Sequence, residues 1–379
     1  MTRINLSRIN GKDNYGEEII IPADKEKGFN FPFVLFIPDS LNNSSDLLVA
    51  IQTSKISRLG FEDSIKEILE HKDRANVINS TNIRIAQMFN SPILVPIIPR
   101  TKGLDSQYLG YALYHNDFND AYTAVNRGSS MYKKEDYNNF IDLDKQIINM
   151  INYAKNYIFE KRNIVVEDKV ILNGYSAASK FVNFFSALHP DIVSMVIGGG
   201  VGGTLIMPIS NYNINGTNYE FTYPIGIKDV NFNLEEFKKI RHFYYIGKED
   251  NSMGPARGRF ELNLDENRNV VYDKYGNVTP KIDDKGNICY ILSDKGEYLS
   301  MYDDGYYTDC QVNVLNQLVH DDAHNLFDFT KGIYEAMGID AVFKYYPGDH
   351  FSVLENEELF EDINNFYNYY KNNKIKAKL

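Results

Sequence analysis

The stretch VILNGYSAAS, residues 170–179, joins an apolar run to a turn that carries a serine at its tip. The apolar run predicts a buried strand, and the small and apolar residues after the turn predict a helix. This is the layout of a nucleophile elbow, a sharp turn that raises one serine hydroxyl above the end of a sheet. Gly174 removes a Cβ before Ser176, whereas Ala178 stands where the motif usually has glycine. The alternative is that Ser176 only caps the following helix.

Two turns farther along the chain offer partners for this serine. A serine hydroxyl is a weak nucleophile without a base, and the base needs an orienting acid. The run RHFYYIGKED, residues 241–250, predicts a strand followed by Asp250, and the run AVFKYYPGDH, residues 341–350, predicts a strand followed by His350. We therefore predict a catalytic triad of Ser176, Asp250 and His350, in the chain order serine, acid, histidine.

Other acids and other roles compete with this triad. Glu249 is the second candidate for the acid. Asp349 is less suited, because a residue directly before the histidine points the wrong way to orient its ring. A single histidine after a strand is usually structural, and a single acid in a loop is usually solvated. The prediction therefore depends on the order of all three residues and on their position at predicted strand ends.

Apolar runs and stretches of helical spacing alternate along most of the chain, with helices predicted around 61–72, 81–90 and 142–159. This alternation predicts an α/β fold with a mostly parallel, eight-stranded sheet and helices on both faces. Ligands bind at the carboxyl ends of the strands in such sheets, where the three triad candidates also lie. The predicted strands are 16–22, 31–37, 46–52, 93–98, 169–173, 193–197, 243–246 and 341–346.

These features resemble the serine esterases of the α/β-hydrolase superfamily, in particular bacterial polyhydroxybutyrate depolymerases and feruloyl or acetylxylan esterases. The resemblance covers most of the chain outside 251–312, and it implies the α/β-hydrolase fold. It also implies hydrolysis of a carboxylic ester, in a small molecule or a polymer, with no metal or organic cofactor. Two features depart from the family: Ala178 in the elbow, and the missing His-Gly signature after the third strand. The segments that carry the resemblance are 174–179, Leu188-His189-Pro190, Gly198-Gly199-Gly200 and 92–100.

The same layout suggests which groups would stabilise an oxyanion. The backbone N–H after the nucleophile, here that of Ala177, is one donor in this type of site. The second donor comes from the loop after the third strand, and we predict that it is the amide of Thr53 or Ser54. The alternative is that Thr53 and Ser54 only cap the next helix.

Three residues are predicted to contact the substrate. Tyr175 lies next to the serine, and Tyr111 lies in a polar, aromatic loop after the fourth strand. Gly199 belongs to a glycine run after the sixth strand, where small residues would make room for a substrate and for close approach of the backbone.

Residues 251–312 interrupt the alternation. Glycines recur there about every ten residues, with short β-prone runs between them, which predicts a meander of hairpins. We predict a catalytic domain of residues 1–250 and 313–379, with 251–312 inserted as a lid over the site; the alternative is a surface elaboration. Cys289 and Cys310 both lie in this insertion, and they could pair if the protein is secreted.

Composition narrows the classes of function and location. The net charge of −11 argues against a nucleic-acid partner, because phosphate binding needs a basic face. No apolar run approaches the roughly 20 residues that span a bilayer. The N-terminal residues MTRINLS lack the apolar core of a signal peptide. We expect a cytoplasmic protein, the alternative being a secreted protein trimmed at its N-terminus.

Some alternatives stay open. His320 and His324 are four residues apart, but no glutamate follows the first and no third ligand is evident, so we predict no metal site. The same triad would serve an acyltransferase or a peptidase. A non-enzymatic binding protein with a degenerate triad is the remaining rival, and the oligomeric state is left open.

Overall fold

The computed structural model describes most of the chain outside the insertion. Thr53, Ser54, Tyr111, Cys310 and most of 251–312 lie outside the described residues. The described residues are 2–9, 12–51, 56–57, 61–70, 80–101, 138–201, 205–214, 216–221, 223–226, 231–250, 261–271, 279–285, 289, 291, 315 and 322–378.

A mixed sheet of nine strands organises the described residues. In chain order its strands are β1 (Thr2–Ile9), β2 (Lys12–Ile21), β3 (Phe33–Pro38), β4 (Leu48–Ile51), β5 (Ile93–Pro96), β6 (Val170–Tyr175), β7 (Val193–Gly199), β8 (Arg241–Gly247) and β9 (Ala341–Tyr346). Across the sheet they run in the order β1-β2-β3-β5-β4-β6-β7-β8-β9. The strands from β5 to β9 in this order are mutually parallel, whereas β1 and β3 run antiparallel to their neighbours.

The helices follow the strands as an α/β alternation requires. The described α-helices are α1 (Phe61–Glu70), α2 (Ser80–Phe89), α3 (Leu143–Arg162), α4 (Ala177–Leu188), α5 (Leu234–Phe237), α6 (Ala323–Met337) and α7 (Glu357–Lys378). Short 3₁₀ turns occupy Lys25–Lys27, Asn138–Phe140 and Ser352–Glu355. Two-residue strands pair Ser44–Ser45 with Val165–Val166 and Ile56–Ser57 with Arg100–Thr101. In the described part of the chain, no helix combines the length and the apolar character needed to cross a membrane.

Both faces of the sheet are covered. Phe243 and Tyr245 of β8 lie in one apolar cluster with Phe360 of α7. Successive side chains of a strand point to opposite faces, so Tyr244 faces the other way. There Asn183 of α4 donates a hydrogen bond to the Tyr244 hydroxyl, with a donor–acceptor distance of 2.7 Å. The described residues of β4, β5 and β7 are buried throughout, as expected for parallel strands between two helical layers.

The chain divides into two compact units. The sheet belongs to the first unit; the second unit begins at the predicted start of the 251–312 insertion, continues past its end to Ile333, and also includes Gly202–Asp229. The proposed role of that insertion as a lid stays a prediction. The first unit comprises Met1–Val201, Val230–Asp250 and Tyr334–Leu379, and the second comprises Gly202–Asp229 and Asn251–Ile333.

The second unit contains local β-structure. Asn211–Ile214 and Thr217–Glu220 form an antiparallel hairpin. Three backbone N–H groups form a closed ring: that of Glu261 donates to the Cys289 carbonyl (2.8 Å), that of Cys289 to Lys281 (2.9 Å) and that of Lys281 to Glu261 (2.8 Å). The described part of the insertion is therefore held by backbone pairing between segments that are distant in sequence.

The predicted α/β class is confirmed. All eight predicted strands are present, and they belong to a mostly parallel sheet with helices on both faces. The predicted strand number is corrected: β1 pairs with β2 as a ninth, edge strand. Its residues alternate between polar and apolar and so gave no continuous apolar run, and its backbone pairs antiparallel with β2.

One buried histidine makes the stability of the first unit depend on pH. His242 of β8 is fully buried, its ring contacts Phe237 (centroids 4.8 Å apart), and its Nδ1 lies 3.1 Å from the Tyr244 hydroxyl. Burial lowers the pKa of His242 to about 3. The unfolded chain, with an ordinary histidine pKa of roughly 6.5, therefore takes up the proton first as the pH falls.

We expect His242→Asn to flatten this pH dependence. The stabilising contribution of neutral His242 is complete above pH ~6.5 and is lost as the pH falls toward the folded-state pKa. Between pH ~7.5 and pH ~5 the wild-type protein should lose about 2 kcal/mol of unfolding free energy that the asparagine variant does not lose. Urea unfolding at the two pH values measures this difference. An equal pH dependence in the two proteins would contradict it.

Candidate active site

The turn after β6 holds Ser176 in a strained backbone conformation. Its φ is 58° and its ψ is −126°, values that residues with a side chain rarely adopt. The Ser176 N–H donates to the Gly199 carbonyl (2.8 Å), and the Ser179 N–H donates to the Ser176 carbonyl (2.9 Å). A Cβ at Gly174 would lie 2.3 Å from the Ala178 carbonyl oxygen, so only glycine fits before this turn. The Ser176 side chain makes no capping hydrogen bond to α4, which distinguishes it from an ordinary helix cap.

The structure brings Ser176, His350 and Asp250 together. The Ser176 Oγ lies 3.0 Å from His350 Nε2, and His350 Nδ1 lies 2.8 Å from Asp250 Oδ2. A carboxylate oxygen only accepts hydrogen bonds, so Nδ1 carries the imidazole proton and Nε2 is left to accept the serine hydroxyl. The Asp250 side chain is 0% exposed and that of His350 is 19% exposed. The acid is thus shielded from water while the histidine edge remains accessible.

The strand ends explain why residues so far apart in sequence meet. Ser176 follows β6, Asp250 follows β8 and His350 follows β9, and these strands are parallel. Their carboxyl ends therefore lie side by side at the same end of the sheet. All three residues belong to the first unit.

The turn after β8 carries Asp250 and is called the acid turn; the turn after β9 carries His350 and is called the histidine turn. The two turns pack directly against each other. The Glu249 N–H donates to the Gly348 carbonyl (3.1 Å), and the Gly348 N–H donates to Glu249 Oε2 (2.5 Å). A Cβ at Gly247 would lie 2.2 Å from the Gly348 carbonyl oxygen. Asp349 Oδ1 instead accepts hydrogen bonds from the N–H groups of Phe351 and Ser352, each at 2.9 Å. Both alternative acids are therefore engaged in holding the histidine turn.

Tyr175 contacts the turn that carries His350 from the end of β6. The Tyr175 hydroxyl donates to the main-chain carbonyl of His350. The Tyr175 and Tyr245 rings lie 6.0 Å apart between centroids. Burial raises the pKa of Tyr175 above its usual range, and the nearby Tyr245 and Asp250 add to that shift. The Tyr175 phenol, with this raised pKa, therefore keeps its proton and can donate a hydrogen bond at neutral pH.

The other predicted site residues have different surroundings. Ala177 is the first residue of α4, where backbone N–H groups have no partner within the helix. Gly199 is buried, and a Cβ there would lie 2.0 Å from the Tyr245 ring. The small size of Gly199 therefore makes room for Tyr245, and its predicted contact with substrate stays a prediction. Thr53, Ser54 and Tyr111 lie outside the described residues.

Sequence reasoning missed the contacts that join the turns. Neither the hydrogen bond from Tyr175 to His350 nor the one from Gly348 to Glu249 was predicted. Gly247 and Gly348 were the available signal, because paired glycines at two strand ends indicate close backbone approach.

A metal centre would need several ligands in one place. Among the described residues, no group of three or more histidine, cysteine, aspartate and glutamate side chains is arranged to hold a metal ion. His320, one of the two histidines considered for such a site, lies outside the described residues.

Comparison with known proteins finds similarity in structure only. No protein-family model matches the chain, and no curated protein matches it. It is similar to the solved structure of poly(aspartic acid) hydrolase-1 from Sphingomonas sp. KT-1, with 11% identity and a TM-score of 0.44 over 91% of this chain and 97% of the other.

Two further solved structures are similar to a comparable degree. The poly(3-hydroxybutyrate) depolymerase LpqC from Bordetella parapertussis has 11% identity and a TM-score of 0.40 over 92% of this chain and 93% of the other. The siderophore hydrolase EstB from Aspergillus nidulans has 12% identity and a TM-score of 0.38 over 93% of each chain. Similarity at this level transfers no activity, so the chemistry has to be derived from the residues of the site.

The close approach of the two turns predicts that Gly247 cannot carry a side chain. We expect Gly247→Ala to lower the free energy of unfolding by about 1–3 kcal/mol, because its Cβ meets backbone atoms that cannot move without separating the turns. Gly332 in α6 is the matched control, since a Cβ there meets nothing within 4 Å. Gly332→Ala should leave stability unchanged or raise it by roughly 0.5–1 kcal/mol. Urea unfolding compares the two, and equal stabilities would contradict the packing argument.

Proposed function

We propose that this protein is a serine hydrolase that cleaves a carboxylic ester through an acyl-enzyme on Ser176. One observation carries the proposal: the Ser176 Oγ lies 3.0 Å from His350 Nε2 while Asp250 Oδ2 lies 2.8 Å from His350 Nδ1. These distances are those of a nucleophile, its base and an orienting acid. The positive φ of Ser176 supports the same assignment, because strained backbone of this kind concentrates at functional positions.

In the acylation step, His350 Nε2 accepts the Ser176 proton as Oγ attacks the ester carbonyl carbon. The carbonyl π bond becomes an oxyanion in a tetrahedral intermediate. Collapse of that intermediate breaks the bond to the alcohol oxygen, and the imidazolium of His350 returns the proton to the departing alkoxide. The products of this half-reaction are a free alcohol and an ester of Ser176.

Water completes the cycle by the same route. His350 takes a proton from the water as it attacks the acyl carbon, and then returns that proton to Ser176 Oγ as the acid leaves. Asp250 fixes the imidazole tautomer and stabilises the imidazolium that forms in both half-reactions. Burial of Asp250 strengthens this effect, because little water competes for its charge.

The oxyanion needs hydrogen-bond donors near the attacked carbonyl. We assign one to the Ala177 N–H, at the positive end of the α4 dipole. For the second donor we retain the amide of Thr53 or Ser54. Thr53→Pro and Ser54→Pro each remove one backbone N–H, so the rates of fluorophosphonate labelling of the two variants would test that part of the assignment.

Labelling with a fluorophosphonate probe tests the proposed nucleophile. We expect one adduct, on Ser176, because its hydroxyl is the one paired with His350. Ser176→Ala should abolish the adduct, and His350→Ala should slow labelling by at least about 10³-fold. Intact-mass measurement counts the adducts, and peptide mapping locates them.

The outcomes separate the proposal from its rivals. No adduct on folded wild-type protein would sink the hydrolase proposal and favour a binding protein. Labelling of Ser176 without hydrolysis of a panel of esters, but with transfer to an added alcohol or cleavage of a peptide, would favour an acyltransferase or a peptidase. An adduct that maps to a different serine would overturn the assignment of Ser176 as the nucleophile.

The two neighbouring acids give a sharper test of the triad. Asp250→Asn should lower kcat on a small ester by about 10⁴-fold, because an amide favours the wrong imidazole tautomer. Glu249→Gln is the matched control: its side chain holds the Gly348 N–H rather than the His350 ring, so kcat should fall by less than about tenfold. Equal losses in the two variants, or a larger loss for Glu249→Gln, would reassign the acid.

A further inference from the structure

Tyr175 joins the serine turn to the histidine turn. Its hydroxyl donates to the His350 main-chain carbonyl, and its ring contacts the imidazole with centroids 5.3 Å apart. A Cβ at Gly200, which has a φ of +57°, would lie 2.5 Å from the Tyr175 ring. The Gly200 N–H in turn donates to the Tyr245 carbonyl (2.9 Å). The Tyr175 ring is therefore packed at the carboxyl ends of the strands, with its hydroxyl directed at the histidine turn.

The geometry points to Tyr175 as a positioning residue: we propose that its hydroxyl holds the main chain of His350 where Nε2 meets the Ser176 hydroxyl. The inference rests on the proposed function, because it assigns Tyr175 a part in activating Ser176. Tyr175 directly precedes Ser176 in the chain, so any shift of the elbow shifts the hydroxyl as well. One side chain therefore links the turn of the nucleophile directly to the turn of its base.

The histidine is held at three points. Asp250 holds the ring at Nδ1, Glu249 holds the N–H of Gly348, and Tyr175 holds the carbonyl of His350 itself. The first two contacts come from the turn after β8, whereas Tyr175 comes from the end of β6, beside the nucleophile. Without the Tyr175 hydroxyl, the histidine turn would keep its contacts to the acid turn but lose this one to the elbow. The Ser176–His350 distance is the quantity that should increase.

A positioning role differs measurably from the substrate contact predicted from the sequence. Loss of a substrate contact raises KM, whereas a displaced base lowers kcat and slows any reaction at Ser176. A displacement of about 1 Å in a catalytic group costs on the order of 10²-fold in rate. The fluorophosphonate probe lacks the alcohol part of an ester substrate. If Tyr175 positions the base, labelling by this probe should therefore slow as much as ester hydrolysis does.

Tyr175→Phe is the test, because it removes the hydroxyl and keeps the ring. We expect kcat on a small ester and the fluorophosphonate labelling rate to fall together by about 10–100-fold, with KM nearly unchanged. Tyr245→Phe is the matched control: Tyr245 is a buried tyrosine whose ring lies 6.0 Å from that of Tyr175. It should retain wild-type kcat and labelling. Thermal unfolding establishes that both variants are folded.

A second readout does not depend on turnover. The downfield proton resonance of His350 Nδ1–H reports the hydrogen bond to Asp250, and it should shift or broaden in Tyr175→Phe but not in Tyr245→Phe. A 4-aminophenylalanine at position 175 keeps a donor in the same place. It should restore most of the lost labelling rate, and it supplies the comparison if the phenylalanine variant does not fold.

The outcomes distinguish this inference from the proposed function. If wild-type Ser176 is not labelled, the proposed function fails and the inference fails with it. If wild-type protein is labelled and hydrolyses esters but Tyr175→Phe does so equally well, only the positioning role is overturned. A raised KM with unchanged kcat would also overturn it, in favour of a substrate contact.

Discussion

The site depends on a backbone conformation at Ser176 that the residue would not adopt alone. Holding a residue other than glycine at positive φ costs of the order of 1–3 kcal/mol, and the surrounding structure has to supply that energy. Here β6 is paired on both sides by parallel strands, and the Ser176 N–H continues that pairing to the Gly199 carbonyl. Helix α4 begins immediately afterwards and is buried on the sheet. Strand and helix together therefore leave the serine no relaxed alternative.

The same constraint determines which small residues the elbow needs. Gly174 has to be glycine because a Cβ would strike the Ala178 carbonyl, and Gly198 because a Cβ would lie 2.5 Å from Ser179 Oγ. Ala178, by contrast, is the second residue of α4 and has its side chain fully buried. Its helical backbone makes no demand for glycine, so the departure from the usual motif does not disturb the turn. What the elbow requires is room before the serine rather than after it.

Most of the fold could be predicted because buried strands leave a pattern in the sequence. Parallel strands between helical layers form continuous apolar runs, and these gave six of the eight predicted strands, including the strand ends that bear the candidate triad. Edge strand β1 left no such run. The contacts that hold the histidine turn were also beyond the sequence: Tyr175 and His350 lie 175 residues apart, and a hydroxyl bonded to a main-chain carbonyl imposes no pattern. The same holds for Gly199, where the neighbour that requires glycine is Tyr245, from another strand.

The spacing of the strands explains why the histidine turn needs so much support. In the sheet order, β6 and β9 are separated by β7 and β8, which puts them roughly 14 Å apart at ~4.8 Å per neighbour. The histidine turn has to reach back across that gap, over the end of β8. It does so by resting on the acid turn, since the Lys248 N–H donates to the Tyr346 carbonyl and the Glu249 N–H to Gly348, which extends the β8–β9 pairing beyond the sheet. The acid turn is therefore the support for the histidine turn as well as the source of Asp250. The distance between Ser176 and His350 is set by backbone pairing as much as by the hydrogen bond that joins them.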